Sequence, residues 1–273
     1  MTELLIRPQV HDLAAPPLEV SRLTVLHDGF AALQDVSFSL QAGQRVAVVG
    51  PNGAGKTTLL KVIAGAMAPT QGSVEIYGHQ PGGHVCIAYV PQRSQVDWNF
   101  PVTVADVVMM GRIRKLGLFR WPGRADWRLV RQALERVGMA ELEKRQIGEL
   151  SGGQQQRVFL AQALAQEAEL FLLDEPLTGL DLPSQEAIFG LLDEVRSQGI
   201  SALLATHDLN LAAERFDQVM LLNRRLVAYG PPAQVFSRKN LEAAYGGHFH
   251  ALTDADGMLV LTDTCCEGDE GKP

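Results

Sequence analysis

Cysteine is scarce in this chain, three residues in 273, which excludes the disulfide framework of a small secreted domain. Long apolar runs are missing as well. None approaches the ~20 residues needed to cross a bilayer, so any membrane the protein serves is expected to be reached through a partner. An excess of positive charge is also absent. The net charge is −7 and the pI about 5.5, which speaks against a broad nucleic-acid footprint, normally basic. The opening "MTELLIRPQVHDLAAPP" carries acids and no continuous apolar stretch, so it does not read as a signal peptide. What is present is 46% hydrophobic and 20% charged residues, the composition of a soluble globular protein with a real core. The length suits one large domain, or one domain with a small appendage.

Residues 1–17, ending in Pro16-Pro17, read as a loose leader. From Leu18, β-like runs appear: "LEVSRLTVL", "VSFSL" and "RVAVVG", the last a continuous apolar run into glycine, as in a buried parallel strand. A helix is predicted from Lys56 to Gly65, then strands at "SVEIYG" and "CIAYV". Residues 103–167 are mainly helical, with "KLGLFRWPGR" a loop marked by its glycines and proline. Strand "LFLLDE", helix "PSQEAIFGLLDEVRSQG", strand "SALLAT", helix "HDLNLAAERF" and strands "QVMLLN" and "RLVAYG" follow. Such alternation predicts a mostly parallel α/β core interrupted by a helical insertion at about 100–167. From residue 246 onward, "HFHALTDADGMLVLTD" suggests a hairpin around residues 254–257, and "TCCEGDEGKP" a disordered tail.

"GPNGAGKT" fits the phosphate-loop pattern G-x-x-x-x-G-K-[ST]. In the nucleotide-binding loop Gly50, Pro51, Asn52, Gly53, Ala54 and Gly55, the glycines let backbone N–H groups turn toward phosphates at the positive end of a helix dipole. Lys56 adds a point charge for the β- and γ-phosphates, Thr57 offers a hydroxyl to Mg²⁺, and Thr58 belongs with them to the nucleotide-binding set. In "LFLLDEP", Asp174 stands at a buried strand end, placed to hold Mg²⁺ directly or through water. Alternation along a strand then points Glu175 to the opposite side and frees it for a different role. A carboxylate beside the γ-phosphate can deprotonate water, worth about 10²–10⁴ in rate. "ELSGGQQQRVFLAQAL" looks like a second anion-ready helix start, capped by Ser151, with an apolar face behind it.

"GPNGAGKTT", "LSGGQ", "LLDEP", "TGLD" and "ATHD", in this order, resemble the ATP-binding subunit of ABC transporters over roughly residues 18–245. The resemblance implies a P-loop NTPase core with an N-terminal antiparallel β subdomain and an inserted α-helical subdomain. It implies ATP and Mg²⁺ as cofactors, with Gln92 in "VPQ" as a Mg²⁺ and water contact. Leu150, Ser151, Gly152, Gly153 and Gln154 match the signature motif, Glu175 the catalytic base, Asp181 the D-loop aspartate and His207 the switch histidine. The adenine-stacking aromatic position holds His27, with Phe30 nearby. Two identical chains, head to tail, would let Ser151 and Gly153 of one copy close over ATP held by Lys56 of the other, which accounts for two cradles in one chain.

"VDWNFPVTVADVVMMGR" resembles the manganese/zinc/iron importer branch, so the expected partners are integral permease subunits and, indirectly, an extracytoplasmic metal-binding protein. Trp98, Phe100, Met109 and Met110 would offer the permease an apolar receiving surface, and the chain would sit peripherally at the cytoplasmic face of the membrane. His248, His250, Cys265 and Cys266 match no standard zinc spacing. A soluble ABC ATPase of DNA repair or translation is the rival reading. The long coiled-coil insertion or second ATPase unit such proteins carry is absent from this sequence. A regulatory nucleotide-binding module without turnover is a third, opposed by Glu175 and His207.

Overall fold

Unbroken apolar runs fold here as strands buried on both faces, and the pattern of those runs sets the layers. The computed structural model describes residues 15–27, 29–81, 86–116, 120–246, 249–253 and 259–263, the last two stretches by backbone alone. The elements in chain order are β1 (Leu18–His27), β2 (Phe30–Leu40), β3 (Arg45–Val49), α1 (Lys56–Ile63), β4 (Gln71–Glu75) and β5 (Ile87–Val90). Four helices follow: α2 (Val104–Met110), α3 (Ile113–Leu116), α4 (Arg124–Arg136) and α5 (Gly152–Ala165). Then come β6 (Leu170–Asp174), α6 (Leu182–Ser197), β7 (Ser201–Thr206), α7 (Leu209–Arg215), β8 (Gln218–Asn223) and β9 (Arg225–Gly230). The chain continues through α8 (Pro232–Val235), α9 (Arg238–Tyr245), β10 (Phe249–Thr253) and β11 (Leu259–Asp263).

A six-stranded sheet in the order β5-β6-β7-β3-β8-β9 forms the centre, parallel except for the β8–β9 pair. Residues of β3, β6 and β7 are buried at every position, as expected for a sheet covered on both sides. Alternation sorts them. Ala47, Val49, Phe171, Leu173 and Leu204 join a core with α2, α4, α5 and α6, whereas Val46, Val48, Leu170, Leu172 and Leu203 pack with α1 and the antiparallel sheet β2-β1-β4. Asp174 follows Leu170 and Leu172 in that alternation, which puts its side chain on the α1 side.

The ends of several elements differ from the expectation set by sequence. β2 starts at Phe30 rather than Val36, because the β1–β2 hairpin carries register shifts and left-handed residues at Arg22 and Asp35 (φ 47° and 53°) that break its alternation. Lys115 and Leu116 belong to the short helix α3 rather than to the loop that follows it. The helix after β7 begins at Leu209 with Asp208 as its cap, so His207 precedes it. Helices α8 and α9 have no counterpart in the pattern of apolar runs. The leader up to residue 14, residues 254–257 about which a hairpin is expected, His248, Cys265 and Cys266 lie outside the described residues, and of His250 only the backbone, in β10, is described.

Candidate functional site

Parallel strands aim their C-terminal ends at one rim. Val49 pairs with Thr206, Ala205 with Asp174, and Leu173 with Val90, so the residues that follow these ends emerge side by side. They are Gly50, His207, Glu175 and, two residues beyond β5, Gln92. A Cβ on Gly50 would run into the carbonyl of Leu222, so the loop leaves β3 through a gap only glycine fits. Gly55 is left-handed at φ 96°, and a Cβ there would meet Ala32 and Leu33 of β2. Gly55 is also the N-cap of α1, which has no side-chain cap.

Lys56 is buried and donates to the carbonyls of Gly50 at 2.7 Å and Pro51 at 3.1 Å. Burial pulls the pKa of its ammonium down, and the carboxylates of Glu175 and Asp174 push it back up. An ammonium partly stripped of water beside an uncapped helix start fits a polyphosphate, which supplies the missing negative charge and acceptors for the first amides.

One residue on, Thr57 donates its hydroxyl to Asp174 Oδ1 at 3.1 Å, while Tyr89 of β5 donates to Oδ2 at 3.3 Å. Asp174 is 1% exposed. Burial raises the pKa of its carboxyl, opposed by the two hydroxyls. One hydroxyl and one carboxylate are hard oxygen donors in small number, the set that suits Mg²⁺, which keeps most of its waters.

Glu175 parts from Asp174 by a different route than strand alternation. β6 ends at Asp174, and Glu175 takes a left-handed backbone at φ 49°, a conformation costing a non-glycine residue on the order of 1 kcal/mol. Its amide still donates to Ala205 O at 3.0 Å. Its Oε2 accepts from Gln92 Nε2 at 3.0 Å and from Thr178 Oγ1 at 3.3 Å, and His207 Nδ1 stands 3.8 Å from the same oxygen. Among the described residues these partners all crowd Oε2, which leaves Oε1 to meet a water.

The other glycine-rich helix start lies at the junction of α5 and α6. The Ser151 hydroxyl accepts from Gln154 N at 3.3 Å, and the Gln154 side chain accepts from Ser151 N at 2.9 Å, a complete capping box. A Cβ on Gly153 would strike Ser184 Oγ, and one on Gly152 would press on the Arg93 guanidinium. Arg93 in turn donates to Gln155 Oε1 at 3.0 Å. Asp181 caps α6 by accepting from Ser184 N at 3.2 Å, and the Ser184 bonds hold its carboxyl below the usual range. No hydrogen bond among the described residues joins 151–154 or Asp181 to Lys56, Thr57 or Asp174.

A family profile described as ABC transporter matches residues 33–178. The manganese transport system ATP-binding protein MntB of Halalkalibacterium halodurans is 45% identical over 90% of this chain and 98% of its own length. The chain belongs to the ABC transporter ATP-binding family. Another relative, the chelated iron transport system membrane protein YfeB of Yersinia pestis, is 49% identical over 91% of this chain and 88% of its own. Among solved structures, one described as an inward-facing conformation of a metal-chelate type ABC transporter superposes with a TM-score of 0.75 at 32% identity, covering 85% of this chain and 89% of that one. As an ABC protein the chain is a nucleotide-binding ATPase of a complex that includes membrane permease subunits. No helix among the described residues is long and apolar enough to cross a membrane.

The remaining ABC positions scatter by burial. His27 ends β1 opposite Phe30, which is 78% exposed, and Ala32 two residues on abuts Gly55. Met109 sits in the helical core, unlike Met110 and Phe100, which are exposed; Trp98 is half-buried, edge-on to Phe159. Three residues of the two helix starts and their carboxylates lie outside every motif quoted from the sequence, Tyr89, Ser184 and Arg93, while Thr178 opens the quoted "TGLD" but had no role of its own there. Only Ser184, three residues after a capping aspartate, carries a local signal.

Proposed function

We propose that the protein hydrolyses ATP to drive import of a divalent metal (manganese, zinc or iron) through a permease. The observation that carries this reading is the division of labour between two successive carboxylates. Asp174 is tied to the phosphate-loop helix through Thr57, and Glu175 is tied to Gln92 and Thr178, with His207 beside it. The manganese and iron systems of the relatives support the choice of cargo.

In this mechanism Lys56 exchanges its loop carbonyls for β- and γ-phosphate oxygens, and residues 50–58 wrap the triphosphate. Thr57, Asp174 and Gln92 would hold Mg²⁺, which when bound would neutralise phosphate charge as a Lewis acid. Glu175 Oε1 takes the proton of the attacking water, while Gln92 and Thr178 keep the carboxylate from swinging away. With Nδ1 turned to Glu175, His207 offers Nε2 to the γ-phosphate. His27 and Phe30 stand at the adenine edge. A second copy closes head to tail, bringing its Ser151, Gly152, Gly153, Gln154 and Asp181 over the nucleotide. Ser151 Oγ already accepts from Gln154 N but keeps its own hydrogen to donate. Residues 18–245 form the ATPase domain, with about 100–167 as the helical subdomain whose Phe100 and Met110 receive the permease. The chain lies at the cytoplasmic face, an extracytoplasmic binding protein feeds the permease, and nucleic acid has no part.

Glu175→Gln tests the reading. ATP turnover is expected to fall about 10²–10⁴-fold with nucleotide binding retained, and metal uptake by vesicles carrying the chain and its permease to cease. Unchanged phosphate release from the variant removes Glu175 as the base. Metal uptake that persists once turnover is lost removes the transport coupling.

A further inference from the structure

Tyr89 belongs to none of the motifs that carry the resemblance, yet its hydroxyl reaches the most buried carboxylate of the site. In the parallel pairing of β5 with β6, Tyr89 lies opposite Leu172. Asp174, two residues further along β6, is therefore its diagonal neighbour on the same face. The Tyr89 ring packs beside the core under α1, and its hydroxyl donates to Asp174 Oδ2 while Thr57 holds Oδ1. The phenol's own pKa is raised far out of the physiological range by burial and by Asp174, so it stays a proton donor.

The two donors are not equivalent. In the proposed mechanism Thr57 would itself be a Mg²⁺ ligand, its hydroxyl able to offer a lone pair to the cation while still donating to Asp174 Oδ1. Tyr89 donates to Oδ2 from behind the cation site, and so it sets the direction of the carboxylate without being a ligand. We infer that Tyr89 is a positioning residue for the cation site, orienting Asp174 from the strand that leads three residues later to Gln92. The hydroxyl does not touch nucleotide or reacting water. It acts through Asp174, as partners behind metal ligands do when they set a ligand's direction. Because β5 carries both Tyr89 and the approach to Gln92, a shift of that loop is felt at Asp174 through one hydrogen bond.

This inference rests on the reading of Asp174 as a Mg²⁺ ligand, and the experiment separates the two. Tyr89→Phe keeps the ring and removes the hydroxyl. Nucleotide affinity of the full chain is measured by calorimetry across a Mg²⁺ titration and again in chelator. Tyr229→Phe, which removes another half-buried hydroxyl bonded to Ser39 O at 3.2 Å, serves as the control for a general packing effect. Tyr89→Phe is expected to raise the half-saturating Mg²⁺ about tenfold, with chelator affinity unchanged and Tyr229→Phe like wild type. An unshifted Mg²⁺ titration in Tyr89→Phe overturns the inference, as does an equal shift in Tyr229→Phe. Wild-type protein whose nucleotide affinity ignores Mg²⁺ overturns the role of Asp174 itself.

Discussion

Two helices in this molecule begin with glycine-rich sequence, and they begin differently. α1 starts at left-handed Gly55 with no side-chain cap, under a lysine buried in its own loop. α5 starts at Ser151 inside a closed capping box, and its glycines are pressed against Ser184 and Arg93. Both look like anion cradles in sequence. The first has no side-chain cap at all, so its amides suit a phosphate held within one chain. The second has satisfied the Ser151 and Gln154 amides internally, which leaves the amides of Gly152 and Gly153 and one hydroxyl hydrogen to offer. That asymmetry suits a helix start that completes another copy's site rather than building its own.

The largest expected break in this contrast comes from the charges. Lys56→Ala should weaken nucleotide binding by the isolated chain about 10- to 100-fold, the worth of a charge-assisted bond. Ser151→Ala should leave that binding unchanged while slowing turnover about tenfold and costing ~1 kcal/mol of stability as a lost cap. Calorimetry, ATPase assay and thermal melting read the three quantities. Equal loss of single-chain binding in both variants would erase the distinction. A smaller effect follows from packing. Gly153→Ala pushes the α5 start away from Ser184, lowering turnover without touching single-chain binding, and Ser184→Gly should restore most of the loss.

The smallest effect concerns Asp174, whose pKa burial raises. A carboxyl with a raised folded pKa favours the native state below its unfolded pKa, and that contribution is lost as pH rises through the folded value. Asp174→Asn has no such titration. In metal-free buffer its Tm should equal the wild-type value in acid and exceed it at neutral pH, even as Mg²⁺-dependent nucleotide binding disappears. A variant less stable at neutral pH than in acid, relative to wild type, would contradict this sign.

The sheet is legible in sequence because β3, β6 and β7 are near-continuous apolar runs, and the phosphate loop because its glycine spacing is local. Asp174 and Glu175 do part company, but not for the reason sequence offers. Strand alternation is visible in a string of residues, whereas a left-handed glutamate is not, since no residue type announces it. Tyr89 is invisible for another cause: its bond to Asp174 spans 85 residues and exists only once β5 and β6 are in register. Helices α8 and α9 escape notice because they are short, four and eight residues, too few to show a helical period of apolar residues.

The ammonium of Lys56 is tethered to two carbonyls of its own loop, and this sets a threshold for entry. A visiting anion must replace two good acceptors before the ammonium gains anything by turning to it. Orthophosphate offers few oxygens and no second anchor, whereas a nucleotide brings a chain of phosphates and a base held elsewhere. On the proposed reading, the self-tethered loop thus favours a chain of phosphates over a lone one before any chemistry begins.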